Sequence, residues 1–301
     1  MILKNPFPSY AQYNEDIILL ALLSDVDNGF YVDIGANYPT IDSVTKLFYK
    51  HGWRGINVEP IPSFFELLQK DRPEDINLNI GIGDKNGELD FFENQIVPGH
   101  SSFDLDNAID SKTDAINKYK VKIKTLKYVF DSNQVKKIHF LKVDVEGFEN
   151  AVIKSNDWSK YRPEVICIEA SDKKTTWQRI LIKNRYKFFI NDGLNEYYVA
   201  EESWARTDKF AEKVIGLAHQ SLKHHQYDAW SRDVNQLKKV TQLNQTHFNM
   251  VQELRHDNHM LRHYNRLSLS NVGYLKRLKR SFYGLTLDWV RYKLDNKKRR
   301  R

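Results

Sequence analysis

The chain has 301 residues, with 46 Lys and Arg against 39 Asp and Glu, and a formal net charge of +7. Residues 276–301 hold eleven basic and two acidic side chains, a charge of +9, so residues 1–275 carry −2, which argues against an enzyme built around nucleic acid. No apolar run approaches the roughly 20 residues of a membrane-spanning helix, no signal peptide is predicted, and the single cysteine, Cys167, excludes an intramolecular disulfide and a cysteine-based metal site.

In chain order, a helix is predicted from about Ile17, with Gln12, Glu15 and Asp16 just before it. Residues 30–34 form a short β-rich run, and 38–52 read as a helix with Val44, Leu47 and Phe48 on one face. Gly52 and Gly55 bracket the turn into strand 56–58, which ends at Glu59; Pro60 and Pro62 open a loop before helix 64–70. Residues 76–82 read as a third strand, and Gly87 turns the chain into 89–92. Residues 94–120 are polar with weak periodicity, as in a mobile loop or lid. Strand 138–143 ends at Asp144, helix 149–155 follows, strand 165–168 ends at Glu169, and 177–184 is a helix. Residues 186–190 and 197–200 flank the turn Asp192-Gly193-Leu194-Asn195 as a hairpin.

Short, apolar strands alternating with helices predict an α/β fold with a mostly parallel, doubly wound sheet and one antiparallel edge strand. Ligands sit at the carboxyl ends of the strands in such sheets. Asp33, Glu59, Asp144 and Glu169 all fall there, so four acids are expected on one rim.

The pattern changes past residue 201. No proline follows Pro163, and apolar residues recur three or four apart, with Asn244, Asn258 and Asn265 interrupting the seam. This predicts a long helical region that either forms a coiled coil or folds back on the domain. From Leu275 onward, Leu278, Phe282, Leu285 and Trp289 share one helical face among basic residues, as in an interfacial membrane helix. The expected divisions are 1–205, 206–275 and 276–301.

Asp33-Ile34-Gly35-Ala36-Asn37 follows a strand, and Gly35 lets the backbone approach a ligand. A helix N-terminus after it would offer free N–H groups to a carboxylate or phosphate. Glu59 ends the second strand, where an acid bonds ribose hydroxyls in nucleotide-binding sheets. With no G-x-G-x-x-G, the pair suits an adenosyl cofactor better than a dinucleotide, which also disfavours a nicotinamide-dependent reductase.

Tyr10-Ala11-Gln12 with Glu15-Asp16, then Asp33-Ile34-Gly35-Ala36-Asn37, Gly52-Trp53-Arg54-Gly55, Glu59-Pro60, Lys142-Val143-Asp144-Val145-Glu146-Gly147-Phe148-Glu149, Arg162-Pro163 and Asp192-Gly193-Leu194-Asn195 together resemble the FkbM-type methyltransferases. The resemblance covers residues 9 to about 200. It implies a class I, Rossmann-like methyltransferase fold, S-adenosylmethionine as methyl donor and O-methylation of a hydroxyl. Members commonly serve glycan or natural-product biosynthesis. Asp33, Gly35, Ala36 and Asn37 would then lie against the methionine half of the cofactor, Glu59 and Pro60 at the ribose, and Gly83-Asp84 beside the adenine. Asp144 would sit near the transferred methyl as the first candidate base, with Glu146 as the second. Gln12 would close over the cofactor, or it and its acidic neighbours would only cap the first helix.

His100, in the loop with Ser101 and Ser102, is a further candidate base, although a lone loop histidine is more often a surface residue. Asp144, Glu146 and Glu149 could instead be a solvated helix start, since acids favour that end. Asp144, Glu146 and Glu169 could together hold Mg²⁺, whose ligands are oxygens, but spacing alone does not join them and no metal is assigned. His259 and His263 lack a third ligand nearby and read as helix surface.

The expected function is methyl transfer to a sugar hydroxyl in a surface polysaccharide or lipid-linked glycan, as a chain-terminating step by analogy of layout. The alternatives are a small natural product as acceptor, or a non-catalytic adaptor for glycan-assembly enzymes. Expected partners are a sugar-containing acceptor, an anionic membrane surface through 276–301 and a second copy through 220–275, but no nucleic acid. The expected location is cytoplasmic, peripheral on the inner face of the membrane.

Overall fold

Strand periodicity explains most of the architecture seen in the computed structural model, which describes residues 9–109, 115–170, 176–210 and 213–214. The expected coiled coil, its histidines and the basic tail lie outside those residues. No helix among the described residues is long and apolar enough to cross a membrane.

The elements run α1 (Glu15–Leu22), β1 (Phe30–Ile34), α2 (Lys46–Lys50), β2 (Arg54–Val58), α3 (Pro62–Asp71), β3 (Ile76–Leu78), β4 (Gly81–Ile82) and β5 (Gly87–Asn94). A 3₁₀ turn at Pro98–His100 precedes α4 (Leu105–Ala108), β6 (Ile116–Lys124), α5 (Leu126–Ser132) and β7 (Phe140–Val143). Then come α6 (Glu149–Lys154), β8 (Val165–Glu169), α7 (Trp177–Lys183), β9 (Tyr186–Asn191), β10 (Asn195–Ala200) and a 3₁₀ segment at Glu201–Thr207.

Seven strands form one sheet in the order β3-β2-β1-β7-β8-β10-β9. β2, β1, β7 and β8 run parallel, and β10 is antiparallel to β8. The antiparallel strand is therefore not at the edge, as the sequence pattern suggested. The tight turn folds β9 to the outside, where it exposes residues that buried β10 does not. Alternation divides the core. Val32, Ile34, Leu141, Val143, Ile166 and Ile168 face the layer that includes Phe130, Val152 and Trp177. Tyr31, Phe140, Val165 and Cys167 face Leu19, Leu47, Phe48 and Trp53.

Two expectations fail for local reasons. Residues 76–82 split, because β3 joins the main sheet while β4 joins a small second sheet, β4-β6-β5. The predicted helix 38–52 shrinks to α2. Asn37 and Asp42 have positive φ, and Pro39 lies between them. The intervening loop is held instead by fully buried Arg72, whose Nη2 donates to the Pro39 carbonyl at 2.6 Å and also to Ser43 Oγ. The polar stretch 94–120 is not a bare loop either, since it contains α4 and the first residues of β6.

Candidate active site at the strand rim

Parallel register sets Asn57, Asp33, Lys142 and Cys167 side by side across the sheet, all on the face away from α6. A lysine in the middle of a four-residue buried strand needs partners. The Lys142 ammonium donates to the Gly35 carbonyl at 2.7 Å and lies 3.4 Å from Asp33 Oδ1 and 3.3 Å from Asp144 Oδ2. Burial alone lowers its pKa, but the Asp144 and Asp33 carboxylates more than offset that and raise it. Lys142 therefore ties the acid one residue before the end of β1 to the acid that follows β7. The other Asp33 oxygen accepts the Thr45 hydroxyl at 2.7 Å, and Thr45 in turn accepts Arg72 Nη1 at 2.5 Å.

The backbone after β1 is already occupied. Gly35 and Ala36 N–H groups donate to the Val58 carbonyl at 3.0 and 3.1 Å, Asn37 N–H to Glu59 Oε2 at 2.7 Å, and Tyr38 N–H to Asn37 Oδ1 at 2.7 Å. The free helix N-terminus expected here is absent, because α2 begins eleven residues after Gly35. Gly35 is nevertheless required: its φ is +78°, and a Cβ would overlap the Asp144 carbonyl oxygen. Glu59 is buried, and its Oε1 accepts the Ile61 N–H at 2.8 Å. Burial pushes its pKa up to about 7 against the opposing pull of those two backbone donors. Each of its oxygens keeps a second lone pair for a ligand hydroxyl.

Three acids that spacing alone did not join come together at the ends of β7 and β8. Oxygens of Asp144, Glu146 and Glu169 all lie within 4.8 Å of one another. Burial first, then the Asp144 and Glu149 charges, raises the Glu146 pKa to about 7. Burial and the neighbouring Asp144 and Glu146 raise that of Glu169 as well. Glu149 plays a separate, structural part. Its Oε1 accepts the Val145 and Gly147 N–H groups at 3.3 and 3.1 Å, bracing the bend before α6. Glu149 thus stands at the helix start, but buried and not solvated.

Glu146 has φ +49°, and two side chains of the segment between β5 and β6 hold it. Ser102 Oγ and Asn107 Nδ2 both donate to its carbonyl, at 2.8 and 3.1 Å. His100 closes the 3₁₀ turn just before, and a Cβ on adjacent Gly99 would stand 3.8 Å from Asn37 Nδ2. Gly83 is buried after β4, near Ile123 and Phe148, whereas Asp84 is exposed. Pro60 follows Glu59, and its carbonyl accepts Asn79 Nδ2 at 3.0 Å. Gln12 is exposed, while Glu15 and Asp16 are buried at the start of α1. Asp16 accepts Ser9 Oγ and the Tyr10 and Ile17 N–H groups, and burial raises its pKa to about 6. Glu15 Oε1 accepts Asn195 Nδ2 at 3.1 Å, and Asn195 pairs in register with Glu169.

Sequence reasoning gave no role to Lys142, Thr45 or Arg72. Lys142 carried a usable signal, a single cation inside an apolar strand two residues before a rim acid. Arg72 carried none, because the groups its guanidinium hydrogen-bonds lie 15 to 33 residues away.

Among solved structures, the chain is similar to a TehB-like SAM-dependent methyltransferase from Corynebacterium glutamicum ATCC 13032 Kitasato, at 9% identity and TM-score 0.32, over 62% of this chain and 87% of that one. It is also similar to the METTL16 MTase domain, at 11% identity and TM-score 0.34, over 62% and 66%. No curated protein sequence matches it. The family model of the methyltransferase FkbM domain matches residues 33–230, about two thirds of the chain. The chain therefore belongs to the FkbM-domain methyltransferases, a family that uses S-adenosylmethionine.

Proposed function

We propose that this methyltransferase acts on a sugar hydroxyl, within a surface polysaccharide or a lipid-linked glycan. The observation that carries this reading is the group of three carboxylates at the ends of β7 and β8, next to the Asp33–Lys142 pair. Neighbouring carboxylates accept hydrogen bonds from adjacent hydroxyls of one polyol, and one of them can take the proton of the attacking oxygen.

The residues suit the cofactor. S-adenosylmethionine brings an electrophilic methyl on a sulfonium, an ammonium and two ribose hydroxyls. Asp33 Oδ1 accepts no hydrogen bond among the described residues, with only the Lys142 ammonium at 3.4 Å, and Glu59 has lone pairs to spare. Asp33, Gly35, Ala36 and Asn37 would hold the methionine half, Glu59 and Pro60 the ribose, and Gly83 the adenine. Asp144 then faces the reacting centre, with Glu146 beside it as the alternative base. Displacement at a methyl group depends mainly on alignment, so the rim acts chiefly by holding an acceptor oxygen in line. The cationic, amphipathic pattern of 276–301 supports an acceptor carried at an anionic membrane surface.

The test is methyl transfer from labelled S-adenosylmethionine to lipid-linked oligosaccharide and to soluble glycan. Acid hydrolysis should release a labelled O-methyl sugar. Label recovered only on a non-sugar small molecule, or on nitrogen, would overturn the acceptor class.

A further inference from the structure

Among the described residues, one trio of potential ligands approaches closely enough to share an ion, the oxygens of Asp144, Glu146 and Glu169 within 4.8 Å. Acidic clusters are common without ions, so the informative member is Glu169. It is only 8% exposed; its carboxyl meets that of Asp144, and its Oε2 has no hydrogen-bond partner among the described residues. A buried carboxylate oxygen left so is costly unless a cation or proton reaches it. Lys142 is the nearby cation, but its ammonium is committed to Gly35, Asp144 and Asp33. Lys142 thus pairs with Asp33 and Asp144 and leaves Glu146 and Glu169 without an ion-pair partner among the described residues.

We propose that Asp144, Glu146 and Glu169 bind one hard divalent cation of the Mg²⁺ or Ca²⁺ class. An all-carboxylate donor set suits such ions and not the soft metals that prefer sulfur. Such ions bind oxygens at about 2.0–2.6 Å. Three oxygens within 4.8 Å of one another can therefore close on one ion by small side-chain rotations. Three protein oxygens leave positions for water and for one oxygen of an acceptor. Use of the ion to orient an acceptor hydroxyl rests on the function proposed above; its binding does not.

The test uses the full chain and Mn²⁺, with free ion counted by electron paramagnetic resonance. One Mn²⁺ per chain is expected, displaced by excess Mg²⁺ or Ca²⁺. Glu169→Gln should weaken it at least tenfold while leaving S-adenosylmethionine binding intact. If that variant does not fold, Glu146→Gln, at a less buried position, should show the same loss. No stoichiometric Mn²⁺ on the wild type would overturn the site. So would Mn²⁺ retained unchanged by both variants, which would place the ion elsewhere, for instance on the histidines beyond residue 218. Labelled O-methyl sugar formed without Mn²⁺ binding would remove the ion and spare the acceptor, whereas Mn²⁺ binding without sugar methylation would do the reverse.

Discussion

Glu59 shows how a single side chain serves both the fold and the site. Its two oxygens fasten the loop after β1 to the start of α3 through the Asn37 and Ile61 N–H groups. Its pKa is raised to about 7 in the folded chain, against an ordinary value of 4.5. The folded state therefore binds this proton more tightly than the unfolded one. The associated stability is complete below about pH 4.5 and is lost as pH rises to about 7, on the order of 3 kcal/mol. Glu59→Gln should flatten that part of the urea-stability profile relative to wild type. It should also cost about 1–3 kcal/mol by turning an amide NH₂ toward one of the two backbone donors. A variant profile parallel to wild type between pH 4.5 and 7 would show that Glu59 is not the titrating group. Lys142 is the complementary case, a buried cation whose removal would leave Asp33 and Asp144 facing each other without compensation.

At the scale of elements, the segment between β5 and β6 works as a clasp. Ser102 and Asn107 converge on the Glu146 carbonyl, and Gly147 leaves room for Asn107, since a Cβ there would overlap its amide. Glu146 keeps its left-handed conformation because this segment holds it. The double variant Ser102→Ala with Asn107→Ala should lower kcat/KM for the acceptor about tenfold, by loosening the rim, and leave the Kd for S-adenosylmethionine unchanged. An equal loss in both quantities would mean that the segment supports the whole fold and not the rim. Little of this was legible in the sequence. Strands β1, β2, β7 and β8 announced themselves because a sheet covered on both faces requires runs of apolar residues, and rim acids follow from where those runs stop. The start of α2 did not, because Arg72, Thr45 and Ser43 meet only once α3 has docked. The break between β3 and β4 was hidden for the same reason: residues 76–82 have a continuous β pattern, and only the partners differ.

For the whole molecule, charge is divided by place. Acids gather on the rim, where Lys142 is their buried counter-ion, and the net basic charge of the sequence falls in residues 276–301. A rim with excess negative charge favours a sulfonium donor, and Asp33 is the member that joins β1, Lys142 and Thr45. Asp33→Asn keeps the shape and an oxygen for Thr45 but removes the charge. The most direct measurement is a calorimetric titration of the full chain with S-adenosylmethionine, beside the same titration of Asp33→Asn. One site is predicted for the wild type, with affinity falling at least a hundredfold in a variant that still unfolds cooperatively. Equal affinity in the two proteins, or no heat and no competition in the wild type, would contradict the account.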